Sequence, residues 1–282
     1  MWFGRRRAGR TRRSPLLPVA PSIADPPNAM NPSLSLGRLL AQAFTSHTQI
    51  DTPPEAVLPR EARAAYDAQH ELVAALGDTI GGWKVGAKTP DGPRQGAPLP
   101  RHGVWLDDTG VYTADARRPC GLELEFAFRF GRRFEPAERP YPDAEVEAAI
   151  AEVGATIEVV ASRFAAFPAV DRLLQLADLQ NHGALAAGEF VPYRADLPFV
   201  SPALSFTFNG QPLFQGVPAN PAGDPRRLLS WLVNHATVER GVAITPDQLV
   251  TCGSYVGLVN VAGSGVAVGQ IGGLPPVTLT VA

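Results

Sequence analysis

The amino-acid sequence predicts an α+β fold, a helical N-terminal region followed by a larger β-rich part, and three observations carry the prediction. Apolar residues fall at helical spacing over residues 34–76, with Leu36, Leu39, Leu40, Ala43 and Phe44 on one stripe and Ala65, Tyr66, Leu72, Val73 and Leu76 on another. Beyond Gly81 the period drops to two: Leu122, Leu124, Phe126 and Phe128 alternate with Glu123, Glu125 and Ala127, as in a strand with one buried face. The chain closes on the alternating Val277-Thr-Leu-Thr-Val281, after a stretch punctuated by glycine.

The first 29 residues differ in composition from the rest. Arg5, Arg6, Arg7, Arg10, Arg12 and Arg13 face the single acid Asp25, so this segment carries about +5 and the remainder about −7 within a net charge of −2. Pro15, Pro18, Pro21, Pro26 and Pro27 deny it a long helix. Residues 1–29 are expected to be a disordered tail, or to precede a true start at Met30; an Arg-rich, acid-poor transit leader is the alternative. Residues 30–80 form the expected helical region, with an N-cap at Asn31-Pro32-Ser33, a break at Pro53 and Pro54, and Gly77 closing the second helix.

Residues 81–282 form the expected β-rich catalytic domain. Residues 89–101, rich in Pro and Gly, read as a long loop of the lid or binding type. Val104-Trp105-Leu106 and Val111-Tyr112 read as short strands, and residues 131–142 as a loop with Arg132 and Arg133 in solvent. Pro142 and Asp143 open a helix expected to turn Val146, Ile150 and Val153 inward. Asp171 caps a short helix ending near Asp178, and Asn209-Gly210 turns a hairpin within residues 205–214. Asp224-Pro225 opens a helix that Gly241 stops, with His235 on its apolar side as a core histidine.

With 282 residues and 45% hydrophobic content, the chain can bury a full core. A net charge of −2 leaves no electrostatic footprint for nucleic acid. Cys120 and Cys252 alone make neither a disulfide framework nor a cysteine metal site, and with no CxxC the cytoplasm is the default location. No apolar run reaches the ~18 residues of a membrane span. There is no Walker loop, no GxGxxG after a first strand, no HExxH and no GxSxG, so nucleotide and serine-hydrolase chemistry lack support.

The candidate chemistry lies in a few charges. Glu123 and Glu125 share one face of their strand, about 7 Å apart, and repel unless solvent or a cation separates them. They mark either a solvated outer face or a site for an oxygen-liganded divalent metal. Glu158 sits among Ile157, Val159 and Val160, where a carboxylate needs a partner. Arg163 is one possibility; the other is a three-carboxylate site with Glu123 and Glu125, suited to Mg²⁺. Of 25 Lys and Arg residues only Lys84 and Lys88 are lysines, and a desolvated lysine can release a proton where arginine cannot. Lys84, between Trp83 and Val85, is thus the candidate proton carrier, while Lys88 lies nearer the Pro90-Asp-Gly92 turn. Gly253-Ser254 reads as a tight bend or as backbone donors near a carboxylate.

With those residues in place, the chain from about Leu34 onward resembles the hydratase/decarboxylase branch of the fumarylacetoacetate hydrolase superfamily, typified by 2-hydroxypenta-2,4-dienoate hydratase (2-keto-4-pentenoate hydratase) and 2-oxohex-3-enedioate decarboxylase of aromatic catabolism. The resemblance rests on Ala65-Tyr-Asp-Ala-Gln-His70, Gly82-Trp-Lys-Val-Gly86, Leu122-Glu-Leu-Glu-Phe-Ala-Phe128, Ile157-Glu-Val-Val-Ala-Ser-Arg163, Leu176-Ala-Asp178 and Thr251-Cys-Gly-Ser254, in the family's order. It implies a twisted mixed β-sheet roll behind a helical N-terminal region, a homo-oligomer, and Mg²⁺ or Mn²⁺ on Glu123, Glu125 and Glu158. It further implies Lys84 and Asp178 as active-site residues and Ser254 near the substrate carboxylate. Ala161, Gly121 and Leu179-Gln180-Asn181 depart from the family pattern close to the substrate. The activity implied is metal-dependent hydration of 2-hydroxy-2,4-dienoates to 4-hydroxy-2-oxo acids. A decarboxylase would need a cation for a second carboxylate, for which Arg94 and Arg101 are candidates. A C–C hydrolase would need a His/Glu pair, with His102 the one plausible histidine, and a β-rich binding protein is the non-enzymatic alternative.

Overall fold

The helical period of the N-terminal region becomes two helices packed on each other, α1 (Leu36–Ser46) and α2 (Ala62–Ala75). The structure, a computed structural model, describes residues 35–106, 110–114 and 120–282, with Met1 and Gly4. The expectations for residues 1–29 and for a cap at Asn31-Pro32-Ser33 otherwise fall outside the described residues. α1 is capped by Ser35, whose side chain accepts a hydrogen bond from the Arg38 N–H. Gly77, at φ +67°, follows α2.

The strands are β1 (Ile80–Ala87), β2 (Arg94–Pro100), β3 (Val104–Trp105), β4 (Val111–Tyr112), β5 (Cys120–Phe130), β6 (Ile150–Val160), β7 (His182–Ala187) and β8 (Val191–Pro192). Then come β9 (Leu204–Phe208), β10 (Gln211–Pro212), β11 (Leu249–Thr251), β12 (Val259–Val261), β13 (Gly265–Ile271) and β14 (Val277–Val281). Among the described residues they form two mixed sheets. The larger runs β2-β1-β11-β5-β6-β7-β3, with β12 on β5 and β8 on β6; the smaller runs β10-β9-β13-β14-β4. Leu122, Leu124, Phe126 and Phe128 of β5 are fully buried in one cluster with Phe206, Ala267, Ile271, Val277 and Leu279 of the smaller sheet. The alternation read in the sequence is therefore the seam between the sheets. The opposite face of β5 carries Glu123, Glu125 and Ala127, the last packed with Leu99, Leu185 and Leu249.

Two expectations are corrected. Residues 89–101 are not a lid: Arg94–Pro100 is the strand β2, antiparallel to β1. Its prolines are tolerated because β2 lies at the sheet edge, where a missing N–H need not break a ladder. The helix at Asp143, α3, stops at Ala148, and Ile150 and Val153 are buried from the strand β6 instead. The β-branched density of residues 150–160 favours a strand over a second helical turn. α4 (Arg172–Ala177) is capped by Asp171, and Asn209 and Gly210 turn β9 into β10 at φ +50° and +76°. α5 (Leu229–Asn234) continues in a π-helical turn, His235–Glu239, whose buried His235 stacks on Trp231 at 4.8 Å. No helix among the described residues is long and apolar enough to cross a membrane.

The helices close the open edge of the larger sheet. Gln69 of α2, 1% exposed, donates from Nε2 to the Gly96 carbonyl of β2 (3.2 Å) and the Leu176 carbonyl of α4 (2.6 Å). Gln69→Leu removes both donors and strands two carbonyls, so urea denaturation should show a loss of about 1–3 kcal/mol.

Candidate metal centre and its cavity

The register of four strands assembles the site. β1 runs parallel to β11 with Lys84 opposite Thr251, β11 pairs with β5 with Thr251 opposite Ala127, and β5 pairs with β6 with Glu123 opposite Glu158. β1 is held in place by close backbone approach: a Cβ on Gly81 would sit 2.6 Å from the Arg101 Cα, so only glycine fits. The indole N–H of buried Trp83 donates to Gln248 Oε1 at 3.1 Å, which fixes the strand beside Lys84.

Glu123, Glu125 and Glu158 each offer a carboxylate oxygen to one point, all three within 4.8 Å of one another. Glu125 and Glu158 are buried and Glu123 is half-buried. Glu125 Oε2 accepts from the Gly253 N–H at 2.8 Å and from the Thr251 hydroxyl, whose oxygen lies 2.9 Å from Thr156 Oγ1. Gly253 presents that N–H from a bend at φ +86°, so the residue pair read as a bend or a donor is both. Glu158 Oε1 accepts from Lys84 Nζ at 2.5 Å and lies 3.0 Å from His182 Nδ1. Both contacts fall on the same oxygen. Glu158 Oε2 is buried with no hydrogen-bond partner.

The electrostatics follow from this crowding. Burial pushes Glu123 up to about 7 and Glu125 up to about 8, with the Glu158 charge adding to both. Burial also disfavours the Glu158 charge, but Lys84 and His182 outweigh it and hold that carboxyl below its ordinary value. Burial opposes the Lys84 charge as well, yet Glu158, Glu123 and Glu125 together raise its pKa. The sequence expectation of a lysine loosened by desolvation is therefore reversed: Lys84 is held as an ammonium. His182 is shifted down, by burial first. The raised values of Glu123 and Glu125 mark a cluster short of positive charge, and the orphaned Glu158 Oε2 points to where that charge belongs. An oxygen-only donor set suits Mg²⁺ or Mn²⁺, and the cluster has the geometry to hold such a cation.

A cavity of about 260 Å³ opens over the cluster, lined by Lys84, Glu123, Glu125, Gln180, Asn220 and Ser254, among others. Lys84 Nζ also donates to the Gln180 carbonyl at 3.3 Å. That carbonyl is presented by an unusual turn in which Leu179, Gln180 and Asn181 all have positive φ (51°, 53° and 62°), a conformation that costs free energy at each non-glycine residue.

A scan against protein-family models finds no match to this chain, and neither does a search of curated proteins. Solved structures do match. The fold is that of fumarylacetoacetate hydrolase-type enzymes. The chain is similar to 4-oxalocrotonate decarboxylase from Pseudomonas putida G7, complexed with magnesium and adipate, at TM-score 0.72 and 21% identity over 88% of this chain and 96% of that one. It is also similar to fumarylpyruvate hydrolase from Pseudomonas aeruginosa in complex with Mn²⁺ and pyruvate, at TM-score 0.50 and 15% identity over 71% and 88%. A third likeness is to 2-hydroxyhepta-2,4-diene-1,7-dioate isomerase from Mycobacterium marinum, at TM-score 0.50 and 17% identity over 73% and 76%.

The structure brings Lys84, Glu123, Glu125 and Ser254 together around one cavity, with Glu158 buried behind them against Lys84, but not Asp178 or Arg101. Ser254 Oγ donates to the Gly257 carbonyl at 2.9 Å and accepts from the Val256 N–H at 3.2 Å. Asp178 is fully buried and accepts from Ser162 Oγ, the Arg163 N–H (each 2.9 Å) and the Arg163 guanidinium. Arg163 thus belongs to Asp178 and not, as its spacing suggested, to Glu158. Arg101 is half in solvent, 3.4 Å from Asp247. His102 bonds Asp78 through its ring and its N–H, and neither residue lines the Lys84 cavity. Sequence reasoning missed His182, which stands at the head of β7, an apolar strand; the β6–β7 pairing alone reveals that it meets Glu158.

Two outcomes are expected. His182→Ala removes a group that orients Glu158 and should weaken Mn²⁺ binding about 10–100-fold, as measured by electron paramagnetic resonance titration. Arg163→Ala leaves the Asp178 carboxyl buried without its cation and should cost about 3–5 kcal/mol in chemical denaturation.

Proposed function

We propose that this protein is a metal-dependent hydro-lyase that adds water to 2-hydroxy-2,4-dienoates of the 2-keto-4-pentenoate type, giving 4-hydroxy-2-oxo acids. The observation that carries the reading is the charge at the cavity: three convergent carboxylates, two of them in its wall and Glu158 buried behind it, one ammonium and, among the described lining residues, no second cation. Glu123, Glu125 and Glu158 are the residues to hold Mg²⁺ or Mn²⁺. When bound, the cation supplies Lewis-acid stabilisation of the negative charge that develops on a 2-oxo acid.

The remaining work falls to the chain's own groups. Lys84 Nζ, protonated beside Glu158, donates a proton to the far carbon of the dienol while the enol hydroxyl releases its proton to water, from which the ammonium is restored; the enone so formed takes up water at C4. The Gln180 carbonyl and Glu158 together fix the direction in which the ammonium points. Ser254, in the same wall beside Gly253, is the group assigned to the substrate carboxylate. Asp178 acts at one remove: its backbone carbonyl accepts from the Asn181 N–H at 2.8 Å, which closes the turn that presents Gln180. The subunit arrangement proposed is a homo-oligomer, as the sequence resemblance implies.

Decarboxylation of a 2-oxo-3-enedioate is the second reading, favoured by the likeness to 4-oxalocrotonate decarboxylase at TM-score 0.72. It shares the enolate-stabilising site and differs in requiring a partner for a second carboxylate. Freshly generated 2-hydroxypenta-2,4-dienoate and 2-oxohex-3-enedioate, each with and without Mg²⁺, separate the two. Metal-dependent loss of the dienol absorbance with formation of 4-hydroxy-2-oxopentanoate is expected, about 10²–10⁴-fold slower in Lys84→Ala and absent in Glu125→Ala. CO₂ release from the dicarboxylate without hydration of the dienoate would favour the second reading. Inertness of both with Mg²⁺ bound would sink the enolate chemistry.

A further inference from the structure

The carboxylate cavity has a neighbour on the same face of the sheet. Gly121 lies two residues before Glu123, so both face one side of β5, about 7 Å apart. Val160 stands opposite Gly121 as Glu158 stands opposite Glu123, and Asn260 of β12 flanks Gly121 on its other side. Over this second row opens a cavity of about 430 Å³, against about 260 Å³ over the carboxylates. The two adjoin along the chain, since Gly257 lines one and Leu258 the other.

Gly121 makes room for Leu258 in the wall of this cavity. A Cβ at this position would lie 2.7 Å from Leu258 Cδ1 and 3.4 Å from Val160 Cβ, so the leucine tip takes the place a side chain would fill. The walls are apolar: Tyr112, Val160, Ala161, Phe167, Pro168 and Leu258. The polar lining groups are uncharged, and no described residue of the lining bears a charge. Among the described residues, such a lining binds by removing apolar surface from water and offers an ionised group no charged partner.

We propose that this cavity is a tail subsite: it takes the end of the 2-oxo acid remote from the three glutamates, and that end is an uncharged, apolar chain. The inference rests on the 2-oxo acid reading above and extends it from the reacting head of the substrate to its tail. Each methylene buried there is worth about a fourfold gain in affinity, so selectivity grows with chain length until the cavity is full. Gly121, Ala161 and Leu258 are then the specificity-determining positions.

The test uses the Mg²⁺-loaded full chain and three unreactive saturated ligands, pyruvate, 2-oxooctanoate and 2-oxooctanedioate, titrated by calorimetry. The expected result is 2-oxooctanoate binding at least about tenfold tighter than pyruvate, with the dicarboxylate losing most of that gain. Ala161→Asp and, separately, Leu258→Asp at a 41% exposed position should collapse the ratio of 2-oxooctanoate to pyruvate affinity toward one. Equal affinity for pyruvate and 2-oxooctanoate would overturn the subsite while leaving the 2-oxo acid reading intact. Tightest binding by the dicarboxylate would overturn the uncharged tail. Failure of all three ligands, pyruvate included, would overturn the 2-oxo acid reading and the subsite with it.

Discussion

The rest of the structure depends on keeping Glu158 ionised where no water reaches it. A carboxylate in that position is costly, and the fold answers with two side chains from distant parts of the sequence, Lys84 from β1 and His182 from the head of β7. Each must arrive in register. Lys84 reaches Glu158 across β11 and β5, and His182 reaches it from the neighbouring strand, so one residue of slip in any of these pairings would turn a charged group into the apolar seam. The ion cluster therefore specifies strand register more than it adds stability. Because both partners sit on Oε1, that specification also leaves Oε2 free.

The apolar frame makes this geometry affordable. β5 buries Leu122, Leu124, Phe126 and Phe128 against the smaller sheet, and each buried side chain of that size contributes on the order of 1.5–3 kcal/mol. The opposite face of the same strand is then free to carry charge. At one end the face is sealed by Ala127, Leu99, Leu185 and Leu249. At the other it opens over Glu123 and then Gly121, so a single strand grades from dry core, through a charged centre, to an apolar cavity. The helical layer contributes by closing the β2 edge, which keeps the far side of Lys84 packed.

Much of this was legible in the residues. The alternation of residues 122–128 gave the seam and put Glu123 and Glu125 on one side, and the isolation of Glu158 among β-branched neighbours signalled a group that needed partners. Sequence proximity left Arg163 open as its partner beside the three-carboxylate site; Asp178, 15 residues on, meets Arg163 through three hydrogen bonds and takes it out of contention. β2 was hidden by its prolines and glycines, which mark a loop unless the strand is known to lie at an edge. His182 was hidden because nothing local distinguishes a histidine beside a buried carboxylate from one in an ordinary core. His102, the one histidine the sequence offered to a hydrolase, bonds Asp78 and does not line the cavity. In each case the missing information was long-range pairing, which composition and periodicity do not encode.

The reversed character of Lys84 follows from the same crowding. Desolvation alone would loosen its proton, as the sequence suggested, but three carboxylates at close range override desolvation and tighten it. A divalent cation competes for those same carboxylates: charge committed to the metal is charge withdrawn from the ammonium. The two cations are thus coupled through shared anions, and the lysine becomes a better proton donor as the cluster fills. On the proposed function, such a site would hold the Lys84 proton until the ion that stabilises the dienolate charge is in place. The order is imposed by electrostatics, with no moving part required.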